Sequence, residues 1–224
     1  MKACALCGQM ILDNSTDPEE VETDEHVPPR QFFPKAMRPN LRDRLWKVPT
    51  HRRCNQKYKL DEEYFLHSLS PLVASTNQTM GQVLLEDAKR RAKKPQYQGL
   101  NGLLRKDCSD TSAGGILLPP TLVRIRFDVV RLQNVLEKIG RCLFYKDHKT
   151  CMPTSHCVHI QRVPSHVVGE LSQEARMETH SAAPSIFRYW YWHKPGKYVY
   201  AMRFWDTLMF WLAFQAEVSE VEPT

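Results

Sequence analysis

Glu25-His26-Val27-Pro28-Pro29 stands between two short metal-type spacings, Cys4-x2-Cys7 before it and His51-x2-Cys54-Asn55 after it. Two pairs of soft or borderline ligands, each separated by two residues, are what one tetrahedral zinc ion needs, because each such turn brings two side chains to the same ion. Cys4, Cys7, His51 and Cys54 are therefore the expected ligands of a structural zinc. Asn55 follows the last of them directly and puts an amide oxygen at the start of an expected helix. The acid-histidine pair Glu25-His26 lies between the two ligand pairs, and the prolines after it exclude helix and stiffen the backbone.

This order of parts, together with the wording EHVPP, VPTHRRCN and LDEEYF, resembles a zinc-knuckle branch of the HNH endonucleases. The resemblance covers the first 66 residues and implies a ββα-metal fold. It further implies that Glu25 is a ligand of a catalytic divalent ion, that His26 is the general base, and that Asn55 completes the metal site. Two positions depart from the family pattern. The middle Asn that orients the histidine falls at Trp46, which cannot supply that hydrogen bond in the same way, leaving Asn40 or a backbone carbonyl as substitutes, or an impaired enzyme. One helical turn after Asn55, where some members carry a further metal-binding histidine, this chain has Lys59. A site of oxygen ligands alone follows, which favours Mg²⁺ (or Mn²⁺) over softer transition metals.

The residue types suit the chemistry that the resemblance implies. Cutting a phosphodiester requires activation of water and neutralisation of charge on the non-bridging and leaving oxygens. A histidine titrates near neutrality and can take the proton; a carboxylate and an amide oxygen can hold a hard divalent ion. Neighbouring residues on a regular strand point to opposite faces, so a shared task for Glu25 and His26 predicts an irregular backbone there.

Charge is distributed unevenly along this region. From Asp13 to Glu25 every charged residue is acidic, whereas from Arg30 to Lys59 Asp43 is the single acid among ten Lys and Arg. A phosphate-binding face beside a carboxylate metal site would be charged in this way, and an ordinary solvated surface is the plainer alternative. Arg30, Lys47, Arg52, Arg53, Lys57 and Lys59 are the candidate nucleic-acid contacts. The run Lys89-Arg90-Arg91-Ala92-Lys93-Lys94 reads first as a solvated helix end and second as a further DNA contact.

A chain of 224 residues, 42% of them hydrophobic, has enough apolar material for a substantial core. Its longest apolar run, Phe204 to Phe214, is interrupted by Asp206 and is shorter than the roughly 20 residues of a membrane helix. No membrane span and no secretory h-region are expected, and the cytoplasm is the expected location. Seven cysteines, the close pairs at metal spacing, suit reduced thiols and a metal better than a disulfide framework. Cys151, His156, Cys157 and His159 contain no close pair of ligand type and make a poor second metal site.

Further along, short strands are expected at Met10 to Leu12 and Leu45 to Val48, with Phe32-Phe33-Pro34 anchoring a loop and a helix from about His51 to His67. Thr76 to Lys94 has helical periodicity, Gln96 to Gly115 reads as a linker or long loop, and Leu122 to Phe127 alternates as a strand. Asp128 is the expected N-cap of a helix running to Tyr145. Strands are expected at Val158 to Val163, Phe187 to His193, Lys197 to Phe204 and Leu208 to Phe214, with a hairpin at Pro195-Gly196. Their many aromatic residues suit a packed sheet first and a base-stacking platform second.

The expected fold class is α+β: a small zinc-stabilised ββα-metal (HNH) domain over residues 1–66, a helical linker region over 67–115, and a C-terminal α+β domain with an antiparallel, aromatic-rich sheet over 116–224. The expected function is that of a metal-dependent endonuclease acting on nucleic acid, DNA foremost, with Zn²⁺ as structural and Mg²⁺ or Mn²⁺ as catalytic cofactor. The alternative is a non-catalytic zinc-ribbon module that binds nucleic acid through a decayed nuclease site.

Overall fold

Strand β3 (Glu22–Val27) pairs antiparallel with β4 (Trp46–His51) in unbroken register from Glu22 opposite His51 to Val27 opposite Trp46. The chain then enters α1 (Arg52–Gln56) and, after a short break, α2 (Lys59–Thr76), completing a hairpin followed by helix. The structure, a computed structural model, describes residues 2–12, 15–41, 45–119, 123–153, 156–163, 178–183 and 185–216. Ahead of the hairpin, β1 (Lys2–Ala3) and β2 (Met10–Ile11) flank a tight turn in which the Gly8 amide donates to the Cys4 carbonyl. Gly8 has a φ of 76°, a conformation that costs glycine no Cβ clash.

Helix α2 continues past His67, where the sequence suggested an end, because Leu69 and Val73 keep its buried face apolar. Helix α3 (Gln78–Ala92) starts at Asn77, whose side-chain oxygen accepts from the Met80 amide at 3.1 Å. The expected linker from Gln96 to Gly115 is not a loop throughout: α4 (Gln98–Asp107) occupies much of it. Its glycines and polar residues weaken helical propensity, but buried Leu100 anchors one face to the body of the protein. Short β5 (Cys108–Ser109) and β6 (Arg124–Ile125) pair beyond it, so the expected strand at Leu122 to Phe127 shrinks to two residues; Leu122 itself lies outside the described residues.

Helix α5 (Val129–His148) begins as expected at Asp128, whose carboxylate accepts from the Arg131 amide at 3.2 Å. It packs on an antiparallel sheet of order β7-β11-β10-β9-β8, formed by β7 (His156–Arg162), β8 (Glu178–Ala183), β9 (Phe187–Lys194), β10 (Lys197–Phe204) and β11 (Leu208–Ala216). Gly140 permits the close approach, since a Cβ there would lie 2.0 Å from Leu212 Cδ2. The fold is thus α+β with an antiparallel sheet. Phe187, Tyr189, Tyr200, Phe204 and Phe214 are buried on the helix side of that sheet, while Trp190, Trp192 and Trp211 are half-buried around Ala201 and Met209 on the other.

The first 66 residues do not enclose a core of their own. Phe32 stacks on Phe65 with ring centroids 5.0 Å apart, and Phe65 meets Phe204 at 5.4 Å. The Trp205 indole donates to the Phe32 carbonyl at 3.0 Å. One cluster of buried side chains runs from Ala5 to Phe214, because a hairpin and one helix offer too little apolar surface to bury each other. No helix among the described residues is long and apolar enough to cross a membrane.

Candidate functional site

The two ligand pairs predicted from spacing come together. One ligand atom from each of Cys4, Cys7, His51 and Cys54 lies within 4.8 Å of every other, and no other such group of three or more His, Cys, Asp or Glu occurs among the described residues. The β1–β2 turn carries the first pair, and the end of β4 with α1 carries the second; the Ala5 amide, donating to the Pro49 carbonyl at 2.9 Å, fastens one to the other. Cys7 Sγ is 3.4 Å from His51 Nδ1, and the His51 amide donates to Cys4 Sγ at 3.4 Å. The far ring nitrogen, His51 Nε2, is 3.3 Å from Glu20, which also pairs with Arg53 at 2.8 Å. A carboxylate at that position sets the orientation of a ligating imidazole. Burial, with the neighbouring Cys4 and Cys7, pushes the Cys54 thiol up to about 12. Three sulfurs so close repel one another as thiolates, so this is a group of donors that a cation would deprotonate and hold together. The cluster can bind zinc. The Cys157 side chain, part of the weak second set, lies outside the described structure; Cys151 instead donates to the Cys4 carbonyl at 3.3 Å.

Beside this cluster a cleft of about 420 Å³ opens between β3, the turn after it and the start of α2. Glu25, His26 and Asn55 all line it, with Asp24, Arg30 and Lys59. The irregular backbone expected at Glu25-His26 is absent: pairing with β4 is regular through Val27, so Glu25 turns inward and His26 outward from the same strand. The cis Val27–Pro28 peptide comes only after the paired region.

Glu25 is 5% exposed and its carboxylate is 2.9 Å from the Lys138 ammonium. Lys138, buried on α5, also binds Glu62 of α2, and Gln31 donates to the second Glu62 oxygen at 2.7 Å. One ammonium therefore serves two buried carboxylates. Burial raises Glu25 to about 7, the Lys138 charge opposing the rise and the Glu62 charge adding to it. Lys138, which burial alone would depress, is raised to about 12 by Glu62 and Glu25. Both directions follow from the same imbalance, in which the lysine keeps its proton and the carboxylates together retain one near neutrality.

His26 is half-buried, and no side chain among the described residues hydrogen-bonds its ring. Burial, then the charges of Lys47 and Arg30, hold its pKa below 6.5. Trp46 is not near enough in function to replace an orienting Asn: its ring meets Tyr189 edge-on at 5.6 Å and lies 4.4 Å from Lys146, so it packs β4 onto the C-terminal sheet. The Asn40 side chain lies outside the described structure. Asn55 Nδ2 donates weakly to Thr23 Oγ1 at 3.4 Å.

The candidate nucleic-acid contacts divide. Arg30 and Lys59 line the cleft, Lys47 is paired with Asp24 at 3.0 Å, and Arg53 is engaged by Glu20 and Gln9. Arg52 and Lys57 are exposed but lie outside the cleft. Lys138, Glu62 and Glu20 were not legible from the sequence. Glu62 sits within LDEEYF, but nothing local marks it as the neighbour of a lysine 76 residues further on.

Lys138 carries a specific expectation. Lys138→Met leaves Glu25 and Glu62 buried together without a cation and is expected to cost about 3–5 kcal/mol, read as the shift of the urea midpoint. An unchanged midpoint would mean the ammonium compensates nothing. The raised Glu25 pKa adds a pH signature. The folded chain holds that proton up to about 7 and the unfolded chain releases it near 4.5. The wild type should therefore lose stability relative to Glu25→Gln as pH rises through that window, and a flat difference contradicts it.

No family model matches the chain, and no match was found among curated proteins or solved structures.

Proposed function

We propose that this chain is a metal-dependent endonuclease of HNH type that hydrolyses phosphodiester bonds, with DNA as the substrate. The observation that carries this proposal is that His26, Glu25 and Asn55 all line one cleft next to a four-ligand Cys/His cluster. Zinc is the proposed occupant of that cluster, where it would fasten the first knuckle to the hairpin and α1. The donors in the cleft are oxygens of the kind a hard divalent ion takes, and Glu25 with Asn55 would hold Mg²⁺ or Mn²⁺ in competition with the Lys138 ammonium. Such an ion, when bound, supplies charge neutralisation on the phosphate and leaving oxygens.

The chain's own residues do the rest. With its pKa below 6.5, the His26 imidazole is neutral at pH 7 and can accept a proton from water. The water oxygen forms the new bond to phosphorus, the bond to the leaving oxygen breaks, and that oxygen takes a proton from solvent. Arg30 and Lys59 at the cleft edge would attract the phosphate groups flanking the scissile one.

A second reading is favoured by two observations: Glu25 is held by Lys138, and His26 has no orienting hydrogen bond among the described residues. In that reading the chain is a zinc-bearing module that binds nucleic acid without cutting it. Incubating the purified chain with plasmid DNA or RNA and Mg²⁺ or Mn²⁺, with and without chelator, separates the two. Metal-dependent cleavage supports the enzyme, and intact DNA and RNA with either metal sink it.

A further inference from the structure

A second concavity of about 390 Å³ adjoins the cleft, and Arg30, Gln31 and Tyr97 are walls of both. Arg30, Lys35, Arg38, Arg90, Arg91 and Lys94 line it, and no carboxylate does. These cations come from the turn after β3 and from the end of α3, segments far apart in sequence that meet here. Arg91 is the fixed member. Buried, it is paired with Glu63 at 2.8 Å and Asp87 at 3.0 Å, and donates to the Gln31 carbonyl at 3.0 Å, joining α3 to α2 and to the turn. Asp87 also takes Arg90.

The remaining cations are not neutralised in this way. Among the described residues no carboxylate pairs with Arg30, Lys35, Arg38 or Lys94; Arg38 gives its Nε to the Phe33 carbonyl at 2.8 Å and nothing acidic. Burial and the charges of Arg91, Arg30 and Arg90, opposed by Asp87, hold the Arg38 pKa below its ordinary value, as crowding of like charges requires. Like charges gathered in one concavity around a rigid anchor repel unless an anion sits among them. The adjoining cleft has the opposite character, with Asp24, Glu25, Glu62 and Glu63 among its walls. A strand whose scissile phosphate sat in the cleft over a divalent ion would lay its neighbouring phosphates in the basin.

We infer that this basin, built from Arg30, Lys35, Arg38 and Lys94 around the Arg91 anchor, binds backbone phosphates of the nucleic-acid strand entering the cleft. The inference rests on the reading of the cleft as a nucleic-acid site, but it concerns binding alone. It also gives the Lys89–Lys94 run two roles: Arg90, Arg91 and Lys94 face the basin, whereas Lys89 and Lys93 do not line it.

The test is the salt dependence of oligonucleotide binding by the full chain, followed by fluorescence anisotropy without added Mg²⁺ or Mn²⁺ so that cleavage plays no part. Lys35→Ala with Lys94→Ala alters two exposed side chains with no ion-pair partner among the described residues and should leave folding intact. If the basin seats phosphates, this variant lowers the slope of log K against log salt by about one to two units, near 0.9 for each duplex phosphate lost. Lys89→Ala with Lys93→Ala, an equal charge change at two exposed positions at the end of α3 that do not line the basin, leaves the slope at the wild-type value. Equal slopes in wild type and the basin variant overturn the inference, as does an equal loss in the control. A chain that binds inorganic pyrophosphate but no oligonucleotide also overturns it. Binding that depends on the basin in a chain that cuts nothing with either metal would leave this inference standing while the nuclease proposal falls.

Discussion

On the proposed nuclease reading, His26→Ala is expected to slow phosphodiester cleavage by roughly 10² to 10⁴-fold, the contribution of one positioned proton acceptor, and to leave metal and DNA binding near wild-type levels. The side chain is half-buried and makes no described hydrogen bond, so its removal leaves no buried polar group unpaired and folding should survive. Glu25→Ala and Asn55→Ala behave differently. On the same reading their defect would lie in holding the divalent ion, and activity is expected to return in part as Mg²⁺ or Mn²⁺ is raised. Glu25→Ala should also fold, because Lys138 then has Glu62 to itself, one charge for one. Single-turnover rates across a metal titration decide the matter. A His26→Ala variant that cuts as fast as wild type removes the general base from this histidine.

The second large effect concerns zinc. Cys4→Ser with Cys54→Ser is expected to abolish a stoichiometry of one zinc per chain and to lower thermal stability sharply. Structural zinc in small domains contributes on the order of 10 kcal/mol or more of folding free energy. Even ~5 kcal/mol lost would lower Tm by roughly 10–20 °C in a chain of this size. Elemental analysis of protein purified without chelators, with thermal scans of both proteins, checks it. A zinc-free wild type or an unmoved transition contradicts the assignment. The cluster joins the β1–β2 turn to the end of β4 and α1 alongside the Ala5–Pro49 and Arg53–Gln9 hydrogen bonds, so its loss should loosen the first dozen residues before the rest.

What could be seen in the sequence was local. The two ligand pairs, the Asp128 cap and the Pro195-Gly196 turn each declare themselves within a few residues, and each is present. The register that brings Glu25 beside Lys138, 113 residues away by number, has no local signature, since a lysine on an otherwise ordinary amphipathic helix looks like a solvent-facing one. The same holds for Glu20 behind His51 and for the basin, whose parts lie on two segments that read separately as a basic loop and a basic helix end. Gln98–Asp107 was hidden for another reason: glycines and polar residues argue against helix, and only the tertiary burial of Leu100 reverses the balance. The strictly alternating strand at Glu25-His26 shows the reverse limit, where an expectation drawn from function asked for irregularity that the backbone does not have.

The indole of Trp205 reaching the carbonyl of Phe32 has a bearing on how such a site can be passed between proteins. A fragment ending at residue 66 would carry the Cys/His cluster and every cleft residue but Tyr97, yet leave Phe32 and Phe65 without Phe204 and Trp205 above them and Glu25 without its counter-ion. Grafted onto a foreign partner, the hairpin and its helix would need a replacement both for that aromatic roof and for one buried ammonium. The two halves of this chain are therefore constrained to diverge together: a change at Lys138 or Trp205 is felt in the cleft, and neither half is free to be shuffled as a cassette.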